Sequence, residues 1–201
     1  LHWLIGSLDL WVKQVGDEWH VAAERTDDEE RGAAVDDSEP DADIAWRRWA
    51  AGVQQPRVKV TPLLPDRPVV VRPAVPVQIL PGHEARFFVG IPLWVRLSLL
   101  DADGQEQTVC EDFTQQLSKT WFGVPVEGEL CYVLKSRARR EMTGVDPAPH
   151  RAVAPLLLRN ESQEALDFQR LCLQAPHLGI YRGDRHLWTN EGRMVFKGPD
   201  L

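Results

Sequence analysis

The side chains that could do chemistry in this 201-residue chain are few and scattered. Six histidines stand at positions 2, 20, 83, 150, 177 and 186, and three cysteines at 110, 131 and 172. No two cysteines form a CxxC pair. HExxH, GxSxG, GxGxxG and P-loop runs are all missing, so the short motifs that carry metal, nucleophilic or phosphate chemistry do not apply. Histidines can still converge on a metal after folding, yet their spacing does not group them. No catalytic residue, no metal ligand and no cofactor is therefore assigned. A nucleophilic cysteine needs a lowered pKa and a nearby base; Cys131 and Cys172 lie in strand patterns and are expected to be inert. The acidic run DDEERG departs from the spacing of a calcium loop.

Two features offer binding chemistry instead. The first is tryptophan, eight in all. Trp11 lies between Asp9 and Lys13, opposite in parity to Leu8, Leu10 and Val12, and Trp94 lies between Pro92 and Arg96, opposite to Leu93 and Val95. An indole on the polar side of a strand can stack on a sugar or receive a partner, unless a second layer covers it. The second is KSRARR, where Lys135, Arg137 and Arg139 alternate on one side of a strand terminus and could hold an anion or an acidic peptide. The tripeptides RGD (182–184) and NES (160–162) both read as turns.

What positions these residues is a repeated period of two. Phe87, Val89, Ile91, Leu93, Val95, Leu97 and Leu99 occupy every odd position of one run, which is long enough that Gly90 and Pro92 should bend it. Leu8, Leu10 and Val12, then Trp19, Val21 and Ala23, predict a hairpin about VGDE; DADG predicts another, and RGD a third. Apolar parity changes near Arg170, which predicts a bulge. Seven prolines between 56 and 81 predict edge strands or irregular extended chain there, because each removes a ladder donor. One helix is predicted near residues 43–51, with Trp46 and Trp49 three apart on a shared face. Short strands at spacings of about 8–12 residues with almost no helix predict an all-β fold, an antiparallel sandwich or a barrel. We read 1–201 as a single domain, with 1–55 as an N-terminal appendage.

Composition narrows the functional classes. Net charge is −7, but residues 24–43 hold ten acids against Arg25 and Arg31, so a single surface loop carries the charge and the body is near neutral. Without a basic field, nucleic acid is a poor partner. No run approaches the roughly 20 apolar residues of a membrane span. The apolar start LHWLIGSLDLWV carries Asp9 and reads as a strand, not a leader. An odd cysteine count without metal spacing suggests reduced thiols and a cytoplasmic setting, and 18 arginines against 5 lysines suggest a GC-rich bacterial genome.

The stretches KTWFGVPVEGELCY, AVAPLLLRNESQEALDFQRLCLQAPHLGIY and HLWTNEGRMVF resemble an uncharacterised prokaryotic all-β family of unknown function, over about the last 120 residues. The resemblance implies a prokaryotic, non-secreted protein and transfers no catalytic residue. The expectation is a non-enzymatic module that binds a protein partner or a second copy of itself. The alternatives are a carbohydrate or small-anion binder using Trp and Arg, and an enzyme with a dispersed His/carboxylate site.

Overall fold

The odd-numbered residues from Phe87 to Leu99 are all buried, none more than 5 % exposed, so the alternation seen in the sequence sets the packing. The computed structural model describes residues 1–50, 57–143, 145 and 148–198. Strand makes up 56 % and helix 2 % of the chain, which makes the protein all-β. In chain order the strands among the described residues are β1 (His2–Ile5), β2 (Leu8–Val15), β3 (Glu18–Arg25), β4 (Ala33–Asp36), β5 (Arg47–Ala50), β6 (Arg57–Leu63), β7 (Val69–Val71), β8 (Val77–Ile79), β9 (Glu84–Pro92), β10 (Trp94–Leu100), β11 (Glu106–Phe113), β12 (Ser118–Phe122), β13 (Glu129–Val133), β14 (Arg151–Asn160), β15 (Leu166–Phe168), β16 (Leu171–Leu173), β17 (Ile180–Arg182), β18 (Leu187–Thr189) and β19 (Gly192–Phe196). They divide into two compact units. One comprises Leu1–Leu63, Leu93–Gln115 and Ala148–His150; the other comprises Leu64–Pro92, Gln116–Pro147 and Arg151–Leu201.

The first unit is a sandwich of a five-stranded antiparallel sheet, β4-β1-β2-β3-β5, and a three-stranded one, β11-β10-β6. Register explains which residues meet. Leu10 pairs with Ala23 and Val12 with Val21, so the even residues of β2 and the odd residues of β3 share a face. That face closes on Val95, Leu97 and Leu99 of β10, with Trp3, Trp49, Val58 and Val60 packed around it. Each fully buried aliphatic side chain contributes about 1.5–3 kcal/mol. The VGDE and DADG turns form as expected, with Gly16 and Gly104 at positive φ.

In the second unit β14 is the centre. It pairs antiparallel with β9 along one edge, while β18 and then β19 run parallel to it along the other. β18 pairs with Ala152 and Val153, and β19 from Leu156 onward. Pro155, which has no N–H to donate, falls in the gap between these two neighbours. A second sheet runs β12-β13-β7-β16, and β15 pairs with β8. Phe87 of β9 meets Phe168 of β15 edge-on, with ring centroids 5.0 Å apart.

The structure corrects several expectations. Residues 47–50 form β5, not a helix, and residue 51 lies outside the described residues. Its indoles therefore do not share a face: three residues apart in extended chain means opposite sides. Trp49 packs into the core, and Trp46 stands on the other face beside Lys13. No sheet closes into a barrel, and three pairings are parallel rather than antiparallel: β7 with β13, and β14 with β18 and with β19. The acidic loop contains an edge strand, β4, paired to β1. β7 is central, not an edge, and its three valines are no more than 2 % exposed. Prolines 68 and 73 flank it without entering it, so all its donors survive. The bend comes where Pro92 ends β9 and Leu93 separates it from β10. The parity change near Arg170 separates β15 from β16, which join different sheets. Among the described residues, no helix is long and apolar enough to cross a membrane.

Candidate functional site

The face of the five-stranded sheet turned away from the core should be wet, yet much of it is buried. His2, Asp9, Trp11 and His20 are each no more than 9 % exposed. The register places them together, with His2 opposite Trp11 and Lys13 opposite His20. What lies over them is the chain that follows β4, residues 37–42 and Trp46, together with the side chains of Asp36 and Arg31.

A hydrogen-bonded network holds this cover down. His2 Nε2 lies 2.8 Å from Asp9 Oδ1, and His2 Nδ1 lies 2.9 Å from Asp36 Oδ1. Arg31 donates from Nη2 to Asp9 Oδ2 at 2.8 Å and from Nε to the Gly6 carbonyl at 2.9 Å. Ser38 donates to Asp36 Oδ1 from both its backbone N–H (2.9 Å) and its hydroxyl (2.7 Å). These hydrogen bonds from Ser38, with a further one from His2, hold the Asp36 carboxyl at about 2. The imidazole stacks on Trp11 with centroids 4.4 Å apart and planes within 4°.

Ser38 Oγ also lies 2.7 Å from His2 Nδ1, which gives a Ser–His–Asp sequence of contacts through to Asp9. The geometry argues against acyl transfer here. Each ring nitrogen has a carboxylate oxygen within hydrogen-bond distance, Asp9 Oδ1 at Nε2 and Asp36 Oδ1 at Nδ1. The Ser38 hydroxyl donates to Asp36 Oδ1, so its proton is directed at that carboxylate and not at the imidazole. The network is a clasp.

Beside the clasp is a groove of about 320 Å³, walled by Trp11, Val12 and Trp46 and fringed by Asp37, Glu39 and Asp41. Lys13 reaches across it, with Nζ 4.0 Å from the centre of the Trp46 ring. Indole faces next to carboxylates attract cations.

The residues singled out in the sequence divide between the two units. Trp11 lines the groove. Trp94 lies on the outer face of the other sheet, half-buried, with its ring 6.2 Å from Phe113. Lys135, Arg137 and Arg139 belong to the second unit and follow β13, which ends at Val133. They do not continue that strand: the segment is bridged at single residues, Pro73 to Ala138 and Phe88 to Arg139, and Ser136 Oγ donates to the Gly90 carbonyl.

Among the described residues, the second unit holds one group of converging donors, Glu129, Cys131 and Cys172, within 4.8 Å of one another. Burial, above all, pushes both thiols up, which fits poor nucleophiles. Sequence reasoning missed both this group and the clasp. A usable signal for the clasp was present, since His2 is out of phase with Trp3 and Ile5, and Asp9 with Leu8 and Leu10, so each is a polar residue on the side of its strand away from the apolar alternation.

The family described as Protein of unknown function (DUF432) matches residues 1–200, and the chain belongs to it. The match takes in the N-terminal hairpin, acidic segment and clasp as well as the tail whose pattern is recognisable in the sequence. No curated protein and no solved structure matches the chain.

Proposed function

We propose that this DUF432 chain is a binding module without catalytic activity, and that its groove takes a cationic side chain, lysine or arginine, presented by a partner protein. The observation that carries this reading is Lys13 over Trp46: the groove already holds an ammonium group at cation–π distance, supplied by its own wall. An incoming cation has the same ring to stack on and three carboxylates at the rim. Such a contact is worth about 0.5–1 kcal/mol at an exposed site and more when water is excluded. Independently of the groove, the β12–β13 turn of the second unit, where Val126 is 92 % exposed and Val124 and Trp121 are exposed too, offers an apolar surface of the kind a protein partner covers.

The test is titration of the full chain with a short lysine-rich peptide and with the same peptide acetylated on its lysines, followed by tryptophan fluorescence and calorimetry. Saturable binding of the unmodified peptide is expected, about tenfold or more weaker after acetylation, and lost in Trp46→Ala. Equal binding of both peptides, or binding of neither peptide nor its arginine counterpart, would overturn the reading.

A further inference from the structure

The second unit carries chemistry that the groove does not use. Glu129 and Cys131 are two apart on β13, so their side chains share a face. β7 lies between β13 and β16, and Cys172 of β16 reaches back toward them. The two Sγ atoms are 3.5 Å apart, and Cys172 Sγ is 3.2 Å from Glu129 Oε1. Gln174 Nε2 donates to that same oxygen at 2.7 Å, fixing the carboxylate.

We propose that Glu129, Cys131 and Cys172 are three ligands of a zinc-class ion, with a fourth position open to water or a ligand.

Three observations support it. The donor set is two sulfurs and one carboxylate, which suits zinc and is a poor match for magnesium or calcium, whose ligands are oxygen. The spacing also fits. A tetrahedral centre with Zn–S of about 2.3 Å and Zn–O of about 2.0 Å sets its sulfurs about 3.8 Å apart and sulfur and oxygen about 3.5 Å apart. The observed 3.5 and 3.2 Å fall short of these by only a few tenths of an ångström, which side-chain rotation supplies. Gln174, finally, orients the carboxylate from outside, as supporting residues do at metal sites. The competing use of two close thiols is a disulfide. Cys131 and Cys172 lie on strands that flank β7, two interstrand steps apart, with up to about 9 Å between backbones when the sulfurs stand 3.5 Å apart. A disulfide tolerates about 7 Å between Cα atoms, so forming one would require the sheet to close up. An ion bridges the gap without that. Cys131 is buried and Cys172 half-buried, so the ion would approach from the Cys172 side.

The experiment uses the full chain, reduced and treated with chelator, titrated with Zn²⁺ against a chromophoric competitor and separately with Co²⁺. The expected result is one equivalent of zinc and, with cobalt, a thiolate-to-metal charge-transfer band with tetrahedral d–d bands. Cys172→Ser should weaken binding by about 100-fold or more, and Glu129→Gln by about tenfold. Cys110→Ser should change nothing, because Cys110 sits in the other unit. Cys131→Ser risks the fold at a buried position, so Cys172→Ser and Glu129→Gln carry the assignment. No stoichiometric zinc, no charge-transfer band, or an equal loss in Cys110→Ser would overturn the proposal. So would a Cys131–Cys172 disulfide in the isolated protein whose reduction restores no metal binding.

Discussion

His2 lies flat on Trp11 while its two nitrogens reach Asp9 and Asp36, which belong to different strands. One imidazole thus ties the edge strand β4 to β2 and seals an indole beneath it. Replacing His2 by alanine leaves Asp9 buried with only Arg31 opposite it and exposes the ring. Leaving a buried carboxylate short of a hydrogen-bond partner costs about 1–3 kcal/mol or more; with Arg31 still present and the indole newly exposed, we expect about 2–4 kcal/mol. Urea denaturation of His2→Ala, with Arg31→Ala alongside, measures it. A double variant should lose more than the two single losses combined, because each residue supports Asp9 when the other is removed.

The Asp36 carboxyl titrates at about 2 in the folded protein, below its ordinary 3.8, chiefly through the Ser38 backbone N–H and then the Ser38 hydroxyl. A depressed carboxylate contributes stability that is fully present above 3.8 and is lost as pH falls toward 2. Asp36→Asn should therefore flatten the acid limb of the stability curve across that window and change little at neutral pH beyond a constant offset. Thermal melts of both proteins from pH 5 to pH 2 decide this; parallel curves would show that Ser38 does not hold the carboxylate.

If Lys13 occupies the place of a guest, removing it should help the guest. Lys13→Ala is expected to bind the lysine-rich peptide about 2–5-fold more tightly, the equivalent of the roughly 0.5–1 kcal/mol an exposed cation–π contact supplies. A loss of affinity would mean that Lys13 belongs to the recognition surface itself.

Gly6 and Gly16 both have positive φ, 58° and 63°, but only Gly6 is crowded. A Cβ there would come 3.0 Å from His150 Cγ and 3.1 Å from the Thr114 carbonyl, whereas at Gly16 it meets nothing within 4 Å. Both alanine variants suffer the left-handed backbone, about 1–2 kcal/mol. Gly6→Ala should cost about 1–2 kcal/mol more. Chemical denaturation of the pair separates backbone strain from steric strain.

Period-two alternation made the strands legible, because one face of each is pressed against a core and every odd or even residue must answer to it. The same rule exposes where reading failed. Trp46 and Trp49 fit a helix face by spacing alone, but β3 offered an edge, and Trp49 pairing opposite Trp19 outweighed a weak local preference for helix. Val69–Val71 looked peripheral because prolines stand on either side, although none stands within. The donor group of the second unit was out of reach. Cys131 and Cys172 are separated by 41 positions and meet only because β7 inserts between their strands, a pairing that no local pattern encodes.

The passage from β9 to β10 at Leu93 has a consequence for how the polypeptide is made. The first unit borrows Leu93–Gln115 from beyond the beginning of the second, so no single cut releases either one whole. During synthesis the oily side of the β2–β3 hairpin must wait for β10 while about seventy-five more residues emerge between Arg25 and Leu99. At about 5–20 residues per second that is roughly 4–15 seconds in which the apolar face of the nascent hairpin lacks its opposite sheet.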